Sequence, residues 1–426
     1  MSKTKQRLFK ILRILGKIFL GILIFLLLII LFVRSPWGQN IIKEKVISSV
    51  EKKTGGNIDI ERLFIQFDGD IQVDNLLIED PDGDTVVFAG SLSANIPFLP
   101  LIKGNSFSLE ELDVKTLKAN ISRVDSASGF NYEFLTRPYA GDTTQTNQPV
   151  DTTSAPMDIN IGALNLQNFD IVYKDGVSGI DTEVKFDLLE LELTETDLEQ
   201  MVFRGNAAIL ENAVFSYEQT KPFPESESEA PPMPVISIED LKLRNVKGSY
   251  NSQPDSLFSN IDIASFELIN SEFNLKDQIV KSETISLSES IVSLKLTQNT
   301  TENKSSEDPP AEFEWPDWNV AISEVNLQNN ELEYFVNDAR VKTGVFDPNA
   351  LKLDDFSFLA NDISYVDRQA KAEVKKLQFN EASGMDLEKF NLNVVVSNEE
   401  TSLSEIELSA NNNKLTGNLE LAYRSI

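Results

Sequence analysis

The chain has 426 residues, 41% of them hydrophobic, with no Cys and no His and a formal net charge of −29. This composition is that of a folded protein, and it leaves out disulfides, thiol nucleophiles, imidazole bases and His or Cys metal ligands. The charge is uneven: residues 1–17 carry six basic side chains and no acid, so the rest holds 32 basic and 67 acidic groups, a net −35 that would repel nucleic-acid phosphates.

Residues 1–10 read as a basic cytoplasmic tail by the positive-inside rule. Ile18 to Val33, IFLGILIFLLLIILFV, is an uncharged run of 16 residues. Extended back to Ile11, it supplies the roughly 17 to 25 helical residues that a bilayer core needs, with Arg13 and Lys17 snorkelling. Residues 11–33 are therefore a predicted membrane anchor, uncleaved because FVRSPWGQN lacks the small-residue pattern of a signal-peptide site. Residues 34–56 are a predicted short amphipathic helix. Ser35-Pro36 is a cap and first-turn proline, Ile42, Val46 and Val50 follow at four-residue spacing, and Gly55-Gly56 stops the run. Its expected role is to cap the end of the next domain.

From Asn57 to residue 426 only short alternating runs occur, broken by Gly, Asn, Asp and Pro, which predicts an all-β body. The stretch IGALNLQNFDIVYKD shows how it is built. Leu164 and Leu166 alternate, then Phe169, Ile171 and Tyr173 alternate one residue out of phase, with Asn168 at the join. Such a slip turns one apolar set over unless the strand bulges there. The pattern Leu-x-Leu-x-Asn-x4-Tyr returns as Leu241, Leu243, Asn245, Tyr250 and as Val325, Leu327, Asn329, Tyr334. Weaker copies are Ala208, Leu210, Asn212, Tyr217; Ile285, Leu287, Glu289, Leu294; and Leu112, Val114, Thr116, Ile121. The chain is thus a repeat array. Asn tolerates the left-handed region, so these Asn positions are predicted bulges and not ligands.

The same slip recurs where Val184, Phe186 and Leu188 give way to Leu189, Leu191 and Leu193. Asn165, Gln167, Asp170, Lys185, Glu190 and Glu192 fall on the outward phase. Three polar stretches, 137–157, 220–234 and 298–316, each precede a full copy of the motif and cannot support a core. Strands with one apolar face that continue without linkers predict an elongated repetitive sheet: roughly 20 strands at 4.8 Å, on the order of 100 Å. Curled by twist and bulging, it would bring its apolar surfaces face to face. Two interiors stay open at this point. Leu164, Leu166, Phe169, Ile171, Leu241, Leu243, Ile285, Leu287, Val325 and Leu327 either fill a dry core or line a trough for acyl chains or an unfolded apolar segment.

The basic tail, single anchor, SPWGQNIIKEKVISSVEKKTGGNIDIERLFIQF, VDNLLIEDPDGDTVVFAGSLSANI and the repeats together resemble the N-terminal part of a TamB/AsmA-like protein of the Bacteroidota type. The resemblance covers nearly all of the chain and is strongest over Ser35 to Glu133. It implies a single-pass inner-membrane protein, N-terminus cytoplasmic, whose body forms a taco-shaped β-groove in the periplasm. Such proteins belong with the bridge-like lipid-transfer superfamily, so phospholipid acyl chains are the implied cargo. The alternative it carries is a scaffold or chaperone for outer-membrane protein insertion, working with an outer-membrane Omp85-type barrel through a C-terminal region that this sequence does not contain. A third reading is a spacer with a filled core.

No catalytic residue, cofactor or metal is expected. The carboxylates fall mostly on outward strand positions or in loops. Asp80-Pro-Asp82-Gly-Asp84 opens like a calcium loop, but Gly is not at the sixth position and Ser91, at the twelfth, cannot supply a bidentate carboxylate. A hairpin turn between Val73 to Ile78 and Thr85 to Ala89 is the better reading. Asp142-Thr143-Thr144 and Asp151-Thr152-Thr153 are similar to acceptor motifs for O-glycosylation, and Asn299-Thr300-Thr301 fits the N-glycosylation pattern.

Overall fold

The computed structural model describes residues 28, 31–66, 70–96, 106–139, 158–223, 232–297 and 315–423. The predicted tail, most of the anchor, much of the polar stretches and the three glycosylation motifs lie outside them. Among the described residues, no helix is long and apolar enough to cross a membrane.

Helix α1 (Pro36–Thr54) begins where the cap was predicted, with Ser35 Oγ accepting from Gly38 N at 3.0 Å, and ends at Gly55, φ 76°. Its expected apolar stripe is partly covered, with Ile42 and Val50 half-buried. Val46 is 44% exposed, and the buried residues of the helix are Gly38, Gln39 and Thr54. The reason lies in what it covers, strand β1 (Asn57–Ile65), an edge of the sheet that pairs with only one neighbour. An edge needs hydrogen-bond partners more than it needs apolar contact. Gln39 Nε2 donates to Ile65 O at 3.1 Å while Ile65 N donates to Gln39 Oε1 at 3.1 Å, so a side-chain amide stands where the next strand's peptide would be.

The strands that follow are β2 (Asp70–Glu79), β3 (Thr85–Asn95) and β4 (Ser106–Arg123). A short helix α2 (Glu133–Thr136) and a 3-10 turn (Arg137–Tyr139) come next, regular structure that the sequence reading did not expect. Then come β5 (Asp158–Asp175), β6 (Ile180–Asp197), β7 (Val202–Gln219), β8 (Val235–Ser252), β9 (Leu257–Asn274), β10 (Ile279–Ser288) and β11 (Ile291–Leu296). The last are β12 (Asn319–Val336), β13 (Ala350–Val366), β14 (Gln369–Glu381), β15 (Met385–Val396), β16 (Glu400–Ala410) and β17 (Asn413–Ala422). All 17 form one mixed sheet. Each strand pairs with its successor, except that β10 and β11 share one line between β9 and β12. At 4.8 Å per strand the sheet is on the order of 75 Å long.

Neighbours run antiparallel except at β4–β5, β7–β8 and β10/β11–β12, which are parallel. These are the three connections that contain the predicted polar stretches. A parallel return must bring the chain back along the whole strand, which a tight hairpin cannot do. The β2–β3 connection is the expected hairpin turn: Asp80 Oδ1 accepts from Asp82 N at 3.0 Å and Asp84 N at 2.9 Å, with Gly83 at φ 89°.

At the copies of the motif the slip has a common cause. Asn168, Asn212, Asn245 and Asn329 have φ of 56°, 52°, 53° and 52°, and the weaker copies Thr116 and Glu289 have 59° and 51°. Each places one residue in the left-handed region inside a strand, which swings the chain back to the same face after a one-residue slip. The slips are aligned across strands. Lys115 pairs with Gln167 and Leu117 with Phe169, so Thr116 and Asn168 lie at one level, and the register survives. On β6 the slip falls one residue earlier than expected. Phe186 and Leu189 share the apolar face, whereas Leu188 pairs with the outward Gln167 and Glu211.

Candidate functional site

Cross-strand pairing arranges the apolar face into rows that run perpendicular to the strands. One row passes from Leu63 on β1 through Val73, Leu92, Val114, Leu166, Leu189, Leu210 and Leu243. It continues through Phe266, Leu287, Leu327, Phe358, Leu377, Phe390 and Leu408 to Leu415 on β17. Every strand line contributes, and no polar residue interrupts the row. It brings together the predicted positions Leu166, Leu243, Leu287 and Leu327. The adjacent row joins Leu112, Leu164, Leu191, Ala208, Leu241, Leu268, Ile285, Val325 and Ala360, and so collects the predicted Leu164, Leu241, Ile285 and Val325.

Beyond the slip, Phe169 pairs with Leu117 and Phe186, its ring stacked on Phe186 at 4.8 Å. Ile171 lies in the next row, between Ala119 and Val184, and the row continues through Phe215, Gly248, Ile261, Val292 and Leu332. Gly248 leaves room for a ring: a Cβ there would lie 2.1 Å from Phe215 Cζ, so a larger residue would oblige the Phe215 side chain to move.

Burial is graded across these rows. Phe169, Phe186, Ala213, Val246 and Ile263, at the slip, are 8%, 8%, 3%, 3% and 8% exposed and form one cluster with Val114, 5% exposed, from the Leu166 row. The predicted residues on either side, Leu164, Leu166, Ile171, Leu241, Leu243, Ile285, Leu287, Val325 and Leu327, are all half-buried. The opposite face is polar, with exposed ion pairs such as Lys174–Asp181 at 3.1 Å and Lys247–Asp262 at 2.7 Å. These contribute little stability individually and keep that face solvated.

The motif tyrosines form the far margin of the apolar face. Tyr217 and Tyr250 pair across β7–β8 with rings stacked at 5.0 Å, and their hydroxyls donate to Gln219 Oε1 and Asp255 Oδ2, each at 3.1 Å. Burial pushes the Tyr217 and Tyr173 hydroxyls up. Past Tyr173, Arg123 Nε donates to Asp175 Oδ1 at 2.8 Å, Ser178 Oγ donates to Oδ2, and the Arg123 guanidinium lies 4.4 Å from the Phe130 ring centre. The guanidinium holds the Asp175 carboxyl well below the usual carboxylate range, against the opposing effect of burial.

Two features were not read from the sequence. The apolar row continues over β1–β3 and β13–β17, where the signal was plain alternation without the Asn and Tyr of the motif. The slip level also contains polar residues at β10–β13: Ser290 and Asn330 are 1% exposed and Ser357 3%. They replace lost ladder bonds where β10 breaks from β11. Asn330 Nδ2 donates to Leu287 O and Ser290 N donates to Asn330 Oδ1, both at 3.0 Å. Among the described residues, no group of three or more carboxylates could hold a metal ion. The chain matches no protein-family model, and no curated protein matches it.

Proposed function

We propose that this chain is a membrane-anchored conduit that carries phospholipid acyl chains along the apolar face of its sheet, with headgroups at an open edge and no covalent chemistry. The observation that carries the reading is the row from Leu63 to Leu415, apolar on every strand line, in which most positions, like most of those in the adjacent row, remain half-buried; Leu63, Val114, Leu268 and Ala360 are the buried exceptions. In a closed core those rows would be as buried as Phe186. On this reading the strands bend at the slip to form a groove, with Phe169 at its floor, Leu164 and Leu166 on one wall and Ile171 on the other. An acyl chain advancing by one strand exchanges one set of Leu, Val and Phe contacts for another. Each buried CH₂ is worth about 0.8 kcal/mol, so a polar interruption would act as a barrier, and uniformity keeps the path nearly level.

The resemblance to TamB/AsmA-like proteins supports the same setting: an anchor at 11–33 in the bacterial inner membrane, the body in the periplasm, and lipid passing toward the outer membrane. The same resemblance carries the alternative of a scaffold for outer-membrane proteins, acting with an Omp85-type barrel.

The test is photo-crosslinking in cells with a reactive residue at Leu166 and a control at its outward neighbour Asn165, adducts being identified by mass spectrometry. Phospholipid at Leu166 and not at Asn165 is the expected result. Lipid at neither position overturns the conduit, and adducts with outer-membrane barrels select the scaffold.

A further inference from the structure

The row that begins at Leu63 begins inside a cavity. Between α1 and β1 lies a space of about 310 Å³ whose lining includes Leu63 and Phe64 together with Arg34, Asn40, Lys43 and Arg62. Leu63 is 8% exposed and stands at the first strand of the apolar row. The cations are the unusual part, since the chain from Ile18 onward has 32 basic against 67 acidic groups.

Arg34 makes no ion pair with any described carboxylate. Lys43 Nζ donates to the backbone oxygen of Glu61 at 3.1 Å and, among the described residues, forms no ion pair. The Glu61 carboxylate, also in the lining, is engaged by Asn75 Nδ2. Only Arg62 has a carboxylate partner, Asp74, at 2.6 Å. Beside the cavity, Leu31 and Trp37 are 57% and 70% exposed, and the Trp37 ring meets Phe32 edge-to-face at 5.3 Å. Tryptophan with one apolar and one polar side suits the boundary between hydrocarbon and water.

Cations over an apolar floor, next to exposed aromatic surface, match one ligand chemistry: a phosphate ester that carries a hydrocarbon tail. We infer that this cavity is where a phospholipid is taken up, its phosphate held by Arg34 and Lys43 and its acyl chain directed along the half-buried positions of the row that starts at Leu63. Arginine matches phosphate geometry with paired N–H donors and lysine adds a point charge. The inference rests on the conduit reading, because Leu63 matters as the start of the row only if lipid moves along it. Inorganic phosphate shares the charge and lacks the tail, so it is the competing source of the same chemistry.

The experiment uses the full chain in cells with a crosslinkable residue at Asn40 or at Leu166, in the parent and in the Arg34→Gln, Lys43→Gln double variant. Phospholipid adducts at both positions in the parent, each reduced at least about tenfold in the double variant, is the expected result; tenfold corresponds to losing one charge-assisted hydrogen bond. The charge-keeping pair Arg34→Lys, Lys43→Arg restores them if charge is the agent, and failure to restore them overturns the inference. Lipid at Leu166 that is unchanged by the double variant also overturns it while the conduit stands. Absence of lipid at Leu166 in the parent removes the conduit itself. In purified protein, millimolar inorganic phosphate that abolishes the Asn40 adduct would reassign the cavity to free phosphate, and an undiminished adduct supports the lipid.

Discussion

Phe169 and Leu166 lie three residues apart on β5 and point to the same face of the sheet, yet Phe169 is 8% exposed and Leu166 only half-buried. The same contrast holds on β8 between Val246, 3% exposed, and Leu243. Burial is concentrated at the level where the strands slip. The left-handed residues there sacrifice regular strand geometry, and the packed cluster of Phe169, Phe186, Ala213, Val246 and Ile263 stabilises that level. At most of their positions the flanking rows keep apolar area that their own chain does not cover; Leu63, Val114, Leu268 and Ala360 are covered. The contrast separates the residues that hold the sheet together from those available to a guest.

Truncation tests the contrast most severely. Phe169→Ala is expected to cost about 3–5 kcal/mol, the range for a large aromatic in a packed site. Leu166→Ala, half-buried, should cost only about 1 kcal/mol, well under the 2–5 kcal/mol of a fully packed leucine. Urea unfolding of the two variants provides the comparison. A cost above about 3 kcal/mol for Leu166→Ala would mean that the walls close on each other as a filled core, as in the spacer reading.

A smaller effect is expected where the backbone turns left-handed. Asn245 sits at φ 53° and donates from Nδ2 to Asn212 Oδ1 at 3.1 Å. Asn245→Val puts a β-branched side chain into that region and should lower stability by about 1–3 kcal/mol, while Asn245→Gly loses only the side-chain bond. Thr116, β-branched at φ 59°, is the natural inverse, and Thr116→Asn should raise the melting temperature. If Asn245→Val is neutral, the slip is not enforced by that residue, and its regular spacing has another cause.

These slips are the part of the fold that local sequence describes best. Asn at fixed spacing between two out-of-phase apolar runs specifies both the bend and which side chains share a face, and the predicted trough residues fall into common rows as a result. Strand direction was not legible. An alternating run has the same period whether its neighbour is parallel or antiparallel, so the polar stretches could be placed at one phase of the repeat without revealing that they join parallel strands. Gln39 was invisible for a similar reason: its amide resembles any polar helix residue until Ile65 is found beside it. Leu188 and Leu189 are adjacent and chemically identical, so only pairing with Gln167 decides which one faces outward.

The smallest effect belongs to the margin of the apolar face, where polar contacts replace packing altogether. Asp175 is 4% exposed, and its carboxylate accepts from Arg123, Ser178 and the Val177 N–H. Its folded-state acidity is strengthened, first by the Arg123 hydrogen bond, so the ionised form is the one that folding favours. A carboxyl whose pKa is lowered on folding contributes stability that is complete above the unfolded value, near 3.9, and is lost as pH falls toward the folded value. The contribution is therefore flat across neutral pH and declines only in acid. Asp175→Asn should shift the unfolding midpoint modestly at pH 7 and flatten its fall below about pH 4, because the variant has no proton to take up there. Acid slopes that coincide for the two proteins would mean that this pair is not what joins β4 to β5 at the margin. The slip-level cluster would then be holding the parallel pair from below, and the grading of burial across the strand would account for stability there as well.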